Sequence, residues 1–260
     1  MLREWEINLE CIEDGGSSVS IAEAFHGWMF TNIQHLSAEV SENWHRATIK
    51  PFRIKLDKPY PYGHRFRKRD RILVYLTALT AEACELFSML LQDTRKVRLG
   101  NTWFAVENVV VIRSTTYELL INEAFSTIHH RWRRFEFQTP TVIRSDGKNI
   151  LFPAPEKVFS SLSRRFHESA SVELPTLHAD WAQWIDGNRY QLQTSAVRFS
   201  THHMIGFTGD IHYRFHKHMP IYERSLFHLL SEFATYSGVG HKTTMGMGAT
   251  VTSEVGVVVD

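Results

Sequence analysis

The chain has 260 residues, of which 43% are hydrophobic, 22% charged and 12% aromatic. This composition excludes a disordered chain, a fibre and a miniprotein, and it predicts a folded protein with enough residues for a large core. Because 29 Lys and Arg are matched by 28 Asp and Glu, the net charge is only +1. A polyanionic partner would therefore have to be held by local basic patches and not by the overall charge.

The cysteines and the N-terminal residues bear on the compartment. Cys11 and Cys84 are too few for a disulfide framework and are not spaced as zinc ligands, so we expect both to be buried apolar residues in a reducing environment. Residues 1–6 are charged where a signal peptide needs an apolar core, and no stretch approaches the roughly 20 apolar residues of a membrane span. The expected location is the cytoplasm, without a membrane partner.

The first half of the chain shows strand and helix patterns in the order βαββαβ. Apolar and polar residues alternate from Trp5 to Cys11, and Ser20 followed by Glu23 predicts a capping box at the start of a helix. The predicted elements are a strand at 5–11, a helix at 20–35, a short helix ending at 44–45, strands at 52–56 and 71–78, a helix at 79–92 and β-structure at 97–113. This order is typical of a ferredoxin-like unit.

The second half repeats the same order of elements. The predicted elements are strand 135–143, helix 155–166, strands 193–200 and 205–216, helix 222–235 and strand 248–259, with 114–132 as a connection and 168–192 as an insertion. We therefore predict an α+β protein of tandem ferredoxin-like (RRM-like) domains, each an antiparallel sheet with two helices on one face. The predicted domains are 1–114 and 115–260.

The most specific sequence feature is a glycine-rich segment between the last helix and the last strand. Four glycines permit positive φ, so successive amides can form a concavity for phosphate oxygens, and one lysine adds charge. The residues expected to contact RNA here are Gly238, Gly240, His241, Lys242, Thr243, Gly246 and Gly248. The segment fits neither a Walker loop nor a dinucleotide-binding motif. The alternative is a glycine-rich connection that only turns the chain.

With this segment, three others resemble one known family. They are the sequence FEFQTPTVIR at 135–144, FPAP at 152–155 with VFSSL at 158–162, and GFTG at 206–209. Together they resemble the CRISPR-associated endoribonucleases of the Cas6 family in the RAMP superfamily, which cut precursor CRISPR RNA within its repeats. The N-terminal half matches chiefly in layout and around residues 43–52.

The resemblance implies metal-independent cleavage without a cofactor. In that reaction the ribose 2′-hydroxyl attacks the adjacent phosphate and leaves a 2′,3′-cyclic phosphate and a 5′-hydroxyl. His45 occupies the position of the family's histidine after the first long helix, and Lys50 matches a lysine that stabilises the transition state. Where some members have a tyrosine, this chain has Phe30, which carries no transferable proton. His26, one helical turn earlier, is the expected substitute.

Basic side chains are the expected contacts to RNA phosphates. The run 65–71 contains five cations, of which Arg67, Lys68 and Arg69 are predicted to bind RNA, and further clusters are 131–134 and 164–165. For any one cluster a solvated surface remains the alternative. Glu4, Glu6 and Glu10 are expected on the polar side of the first strand and would repel RNA there. We therefore expect RNA in the cleft between the domains and on basic helix surfaces.

A histidine-rich run extends along a predicted strand of the second half. Alternation would place His212, Arg214, His216 and His218 on one face. Without a cysteine or carboxylate in the run, an RNA-facing or solvated strand is preferred over a metal site. No metal site is expected in the chain.

Two other functions compete with the nuclease. One is a RAMP subunit that holds repeat RNA without cutting it, which a missing proton donor at Phe30 favours. The other is a two-histidine phosphoesterase, but the three motifs of its type, which begin at His35, His167 and His241, are about as many as chance predicts. The expected partners are CRISPR repeat RNA, a CRISPR effector complex and a second copy of the chain.

Overall fold

The computed structural model describes residues 1–127, 129–145, 147–172 and 181–255. The chain divides into two compact units. The first contains Met1–Ser114, Ala196–Met204 and Lys242–Gly246, and the second contains Thr115–Ser195, Ile205–His241 and Met247–Asp260. Two short segments from the C-terminal half of the sequence thus belong to the first unit.

The N-terminal 115 residues form seven strands and three helices. Their bounds are β1 Leu2–Cys11, β2 Gly15–Gly16, α1 Ile21–Leu36, α2 Ala38–Arg46, β3 Phe52–Leu56, β4 Arg65–Phe66, β5 Arg71–Ala78, α3 Ala81–Asp93, β6 Lys96–Leu99 and β7 Thr102–Thr115. The main sheet has the strand order β3-β5-β1-β7-β6, and a second small sheet pairs β2 with β4. The central pair β1 and β5 is antiparallel, with Glu4 opposite Thr77.

The remaining elements form a second sheet with its own helices. Their bounds are α4 Tyr117–Ser126, β8 Trp132–Thr141, β9 Ile143–Ser145, β10 Lys148–Ile150, α5 Pro155–Ser169, β11 Ile185–Arg198, β12 His203–Phe215, α6 Ile221–Ser237 and β13 Thr250–Glu254. Short 3-10 helices occupy Trp181–Trp184 and Thr243–Met245. The main sheet has the order β11-β12-β8-β13, and β9 pairs with β10.

The two sheets have the same topology. In each, the first and third long strands lie together in the centre, the second lies outside the third and the last lies outside the first. This is the strand arrangement of a ferredoxin-like fold, so the predicted tandem ferredoxin-like architecture is confirmed. Alternating apolar residues of each central strand pack in a core. In the first unit Trp5, Ile7 and Leu9 are buried with the apolar side of α1 and α3.

Two local predictions need correction. The connection 114–132 contains helix α4, N-capped by Thr116, whose hydroxyl accepts a hydrogen bond from the amide of Leu119. The supposed insertion 168–192 includes the end of α5 and the start of β11, because β11 already begins at Ile185. Residues 173–180 of that insertion, and 256–259 of the predicted last strand, lie outside the described residues.

The expected acidic face of β1 is neutralised. Glu4 is buried and forms an ion pair with the buried guanidinium of Arg53 on β3, while the hydroxyl of Thr77 on β5 donates to the Glu4 carboxylate at 3.2 Å. Glu10 accepts a hydrogen bond from Arg71 at 3.0 Å. Cations on the neighbouring strands thus pair with two of the three carboxylates, and the predicted repulsion of RNA loses its basis.

Cys11 and Cys84 are buried and do not form a disulfide, as the sequence indicated. No helix in the described part of the chain combines the length and the apolar character needed to cross a lipid bilayer.

Candidate active site

The two candidate histidines lie on consecutive helices of the first unit. Helix α1 begins after Ser20, whose hydroxyl accepts a hydrogen bond from the amide of Glu23 at 3.2 Å, and His26 lies in its second turn. Helix α2 follows almost directly and carries His45 in its last turn. His45 is exposed and His26 is half-buried, so the same site has one imidazole open to solvent and one shielded from it.

The ring of Phe30 contacts both of these imidazoles. Its centroid is 4.7 Å from that of His26 and 4.8 Å from that of His45, with the His45 ring perpendicular to it. Phe30 itself is buried and also packs on Phe52 of β3. The side chain at position 30 has no proton to give, and the structure brings two imidazoles into contact with it.

His26 has a defined tautomer. Its Nδ1 lies 3.0 Å from the carbonyl oxygen of Thr244, and because a carbonyl can only accept, Nδ1 carries the hydrogen. Burial is the largest cause that lowers the pKa of His26, to about 4, and the positive charges of Lys50 and Lys242 act in the same direction. At neutral pH the ring is therefore uncharged, and the lone pair is on Nε2.

Two lysines stand close enough to influence this imidazole. Lys50 follows α2, its ammonium donates to the carbonyl oxygen of Ala47 at 3.2 Å, and burial lowers its pKa. The ammonium of Lys242 lies 4.6 Å from the ring centroid of Phe199. Both residues belong to the first unit. The site thus combines two histidines with two cations, a composition suited to acid–base chemistry on a phosphodiester.

Residues 242–246 of the glycine-rich segment pack on α1 and β3. Gly246 has a φ of +87°, and a Cβ there would lie 2.7 Å from the Cβ of Ala22 in the first turn of α1. Glycine therefore permits both the left-handed backbone and the close approach to the helix. This approach brings the Thr244 carbonyl to His26.

The other glycines of the segment turn the chain in the second unit. Gly240 has a φ of +85°, and a Cβ there would lie 2.3 Å from the carbonyl oxygen of Val142. The amides of Val239, His241 and Gly248 donate to protein carbonyls at 2.8, 2.8 and 3.1 Å. These donors are used within the protein, in line with the alternative that the segment turns the chain. Its predicted RNA contact stays a prediction.

Burial separates the predicted RNA contacts of this segment into two groups. Gly238, Thr243 and Gly248 are buried, so the Thr243 side chain is not presented to a ligand. The half-buried members are Gly240, His241, Lys242 and Gly246.

A segment that sequence analysis did not connect with the site is 196–204. The amide and hydroxyl of Ser200 donate to the carboxylate of Glu23 at 3.0 and 2.5 Å, so this carboxylate binds Ser200 and the predicted capping box is only half formed. The guanidinium of Arg198 lies 4.2 Å from the ring centroid of Tyr62. No local periodicity signals these pairings, since they join residues more than 100 positions apart.

The three basic clusters differ in their exposure. Arg67, Lys68 and Arg69 are exposed, with Arg69 at a φ of +76°. Arg133 is instead buried against Glu232, and Arg165 is buried and donates to the carbonyl oxygen of Gly240 at 3.0 Å. The clusters at 131–134 and 164–165 are thus partly committed to internal contacts, which corrects the expectation that all three face RNA.

The histidine-rich run is not one continuous face. β12 ends at Phe215, so only His212 and Arg214 alternate on the strand, while His216 and His218 follow it and are exposed. His212 lies 3.8 Å from Asp210, and Arg214 lies 3.4 Å from Asp186. The predicted alternation is wrong beyond residue 215.

The three motifs of the phosphoesterase alternative also have defined places. His35 and His167 lie on helices, and His241 lies in the turn before the second 3-10 helix. None is in the middle of a strand, where that mechanism needs them.

Comparison with known proteins agrees with this architecture. A family model described as CRISPR-associated endoribonuclease Cas6 matches residues 135–250. The chain is 23% identical over 234 residues to a Cas6 endoribonuclease of Streptococcus thermophilus, covering 88% of this chain and 89% of the relative. It is 29% identical over 118 residues to one of Mycobacterium tuberculosis, covering 45% and 37%.

Solved structures give the same result for the fold. A Cas6 product complex superimposes with a TM-score of 0.81 at 21% identity over 97% of this chain and 99% of that chain. Cas6 of Thermus thermophilus gives 0.72 at 21% identity over 97% and 98%. The solved structures share the tandem ferredoxin-like fold of this chain over nearly its whole length. In sequence, the chain is similar to the CRISPR-associated endoribonucleases of the Cas6 family, most clearly over residues 135–250.

Proposed function

We propose that this protein cleaves precursor CRISPR RNA within its repeats without a metal ion or a cofactor. The 2′-hydroxyl attacks the adjacent phosphate and gives a 2′,3′-cyclic phosphate and a 5′-hydroxyl. The observation that carries the proposal is the contact of both His26 and His45 with the ring of Phe30, with Lys50 and Lys242 close by.

His26 is the proposed general base. Its low pKa keeps the ring neutral, and the hydrogen bond from Nδ1 to Thr244 leaves the Nε2 lone pair to accept a proton. As the 2′-oxygen forms its bond to phosphorus, the 2′-hydroxyl proton moves to Nε2. The burial that lowers the pKa of His26 also makes it a weaker base. Its fixed tautomer and position offset this weakness, because the accepting nitrogen is already oriented.

His45 is the proposed general acid. It is exposed at the end of α2, and its ring contacts that of Phe30 at an angle of 90°. When the bond from phosphorus to the 5′-oxygen breaks, the departing oxygen takes a proton from His45. The dianionic transition state is stabilised by the ammonium groups of Lys50 and Lys242. Phe30 then acts as a platform for both rings and transfers no proton.

RNA binding is assigned to exposed cations and to the half-buried part of the glycine-rich segment. Arg67, Lys68 and Arg69 neutralise phosphates, and Gly240 and Gly246 keep the backbone close to the strand of RNA. In this proposal the domain 1–114 carries out the chemistry, and the domain 115–260 contributes the glycine-rich segment. The protein works in the cytoplasm, alone, as a pair of copies or with a CRISPR effector complex.

The first test uses RNA that contains the repeat of the host's own CRISPR array. The protein is incubated with this RNA in EDTA, and in parallel with the same RNA carrying one 2′-deoxy substitution at the cut site. We expect cleavage in EDTA that the single deoxy group abolishes. Cleavage of the deoxy RNA, or cleavage only with added metal, would contradict the mechanism.

The second test assigns the histidines. His45→Ala and His26→Ala are each expected to lower the single-turnover cleavage rate by roughly 10²- to 10⁴-fold with little change in RNA affinity, because each removes one proton transfer. His35→Ala is the matched control, since it removes an exposed histidine of α1 and should leave the rate unchanged. An unchanged rate in either test variant would remove that residue from the proposed chemistry.

The binding-only alternative is kept because Phe30 has no proton to give. It predicts tight binding of the repeat RNA by the wild-type protein and intact RNA after long incubation. The same two assays therefore separate the alternatives.

A further inference from the structure

The second unit contains a cavity of about 160 Å³, whereas the candidate histidines His26 and His45 belong to the first unit. Its lining comes from α4, from the residues between α4 and β8, and from β8, α6 and β13. Three of its residues, His129, His228 and Glu254, each offer a donor atom, and these atoms lie within 4.8 Å of one another. The proposed nuclease chemistry uses none of them.

The distances between these donors are close to those of a metal site. Nδ1 of His129 lies 3.1 Å and Nδ1 of His228 lies 4.0 Å from Oε1 of Glu254. Bonds of about 2.0–2.1 Å in a tetrahedron separate neighbouring ligand atoms by about 3.3 Å. The two imidazoles are stacked with their centroids 3.9 Å apart and 22° between their planes, so binding of one ion by both requires the His129 ring to turn out of this stack.

The cluster also contains a buried polar atom without a partner. His228 is 1% exposed, and its Nε2 has no hydrogen-bond partner among the described residues. The Nε2 of His129 shares this property. Because Nδ1 of His228 accepts a hydrogen bond from Arg133, its Nε2 carries the hydrogen and its Nδ1 keeps the lone pair that an ion needs. The hydrogen bond from Nε of Arg133 to Nδ1 of His228 is long, at 3.3 Å. When a bound ion replaces this hydrogen bond, Arg133 keeps its hydrogen bond to Glu232.

The charges around the cavity favour a cation. Its lining includes the carboxylates of Glu123, Glu232 and Glu254 but only one guanidinium, that of Arg133. An anion would meet excess negative charge here.

We propose that His129, His228 and Glu254 bind one divalent transition-metal ion of the zinc class in the second unit. Two imidazoles and a carboxylate are a ligand set that zinc accepts, with a water or a further carboxylate such as Glu123 completing the tetrahedron. The ion joins the start of β8, helix α6 and β13. Its role is to stabilise the second unit, and it takes no part in the cleavage reaction.

The test uses metal-free full-length protein prepared by dialysis against EDTA. Titration with Co²⁺ should give the intense visible absorption of a tetrahedral site at one ion per chain, and Zn²⁺ should displace it. A hundredfold excess of Zn²⁺ over its Kd should raise the Tm by about 5–10 °C. No tetrahedral spectrum and no Tm shift in wild-type protein would overturn the proposal.

Variants locate the ion. His129→Gln and Glu254→Gln change residues at the cavity rim and should each weaken binding by more than about 100-fold, which exceeds the usual effect of losing a residue that only hydrogen-bonds to a ligand. His228→Ala is avoided as the main test because its burial makes misfolding a second cause. The control is His216→Gln with His218→Gln, which removes an exposed histidine pair of the same unit. Loss of binding in the control with retention in the rim variants would assign the ion to the surface and overturn the proposal.

Discussion

The two units have the same sheet order and different chemistry, and the difference starts between their first and second long strands. Among the described residues of the second unit, helix α5 and a short 3-10 helix precede β11. In the first unit, α1 is followed by the additional helix α2 before β3. His45 lies in the last turn of α2, and Phe30 and His26 lie on α1. A repeated fold therefore supplies the scaffold, and the additional helix α2, together with α1, carries the candidate histidines.

The comparison extends to buried charge. The sheet of the first unit buries both members of the Glu4–Arg53 pair, whose side chains are 5% and 3% exposed. The sheet of the second unit buries Arg133 at 3% but leaves its partner Glu232 at 41%. Each sheet thus has one buried guanidinium, and only the first has a fully desolvated pair.

The largest expected effect on folding follows from that pair. Glu4→Ala leaves the buried Arg53 guanidinium without its carboxylate and should lower the free energy of unfolding by about 3–5 kcal/mol. Urea denaturation measures it. Glu42→Ala, which removes the exposed partner of Arg46, is the control and should cost no more than about 0.5 kcal/mol. Equal losses in the two variants would show that burial of the pair has no energetic consequence.

The next largest expected effect is a loss of stability from backbone strain at Gly240 in the second unit. Gly240→Ala adds a methyl group 2.3 Å from the Val142 carbonyl at a φ of +85° and should cost about 3 kcal/mol or more. Gly147→Ala has a similar φ of +75° with no atom within 4 Å, so only the backbone strain of about 1 kcal/mol remains. Thermal unfolding compares them, and a Gly147 variant as unstable as the Gly240 variant would contradict the role of the close carbonyl.

A smaller effect tests the aromatic platform. Phe30→Leu keeps an apolar side chain but removes the ring that contacts both imidazoles, and we expect an approximately 10-fold slower single-turnover cleavage with unchanged RNA affinity. Trp28→Leu removes a neighbouring aromatic ring of α1 that packs on Phe25 and is the control. A platform role is excluded if both variants slow cleavage equally.

The smallest expected effect is a change in the pKa of His26. NMR titration of His26 should give a pKa near 4, so the ring gains its proton only as the pH falls through that value, and loss of the base then lowers cleavage on the acid side. Because an unfolded histidine titrates near 6.5, His26 also makes folding less favourable as the pH falls from about 6.5 to 4. Lys50→Met removes a nearby positive charge and should raise the His26 pKa slightly, whereas Lys58→Met should leave it unchanged.

The sequence was sufficient for features set by local pattern. The alternation in β1, the Ser20 cap and the apolar sides of α3, α5 and α6 each follow from spacing, and together they define the tandem fold. The sequence was not sufficient where contacts between residues distant in the chain override the local pattern of apolar and polar residues. Glu4 has the spacing of a solvated residue, yet Arg53 makes it a buried one. The His26 tautomer depends on a backbone carbonyl 218 residues away, which no side-chain pattern encodes.

The assignment of Lys242–Gly246 to the first unit has a consequence for recombination between the genes of relatives. A chimera joined at residue 114 would take His26 from one parent and the carbonyl that orients it, at Thr244, from the other, together with Phe199 and Lys242. Exchanges between relatives at that junction would thus mix two halves of the proposed site. Substitutions in α1 and in residues 242–246 are expected to be selected together.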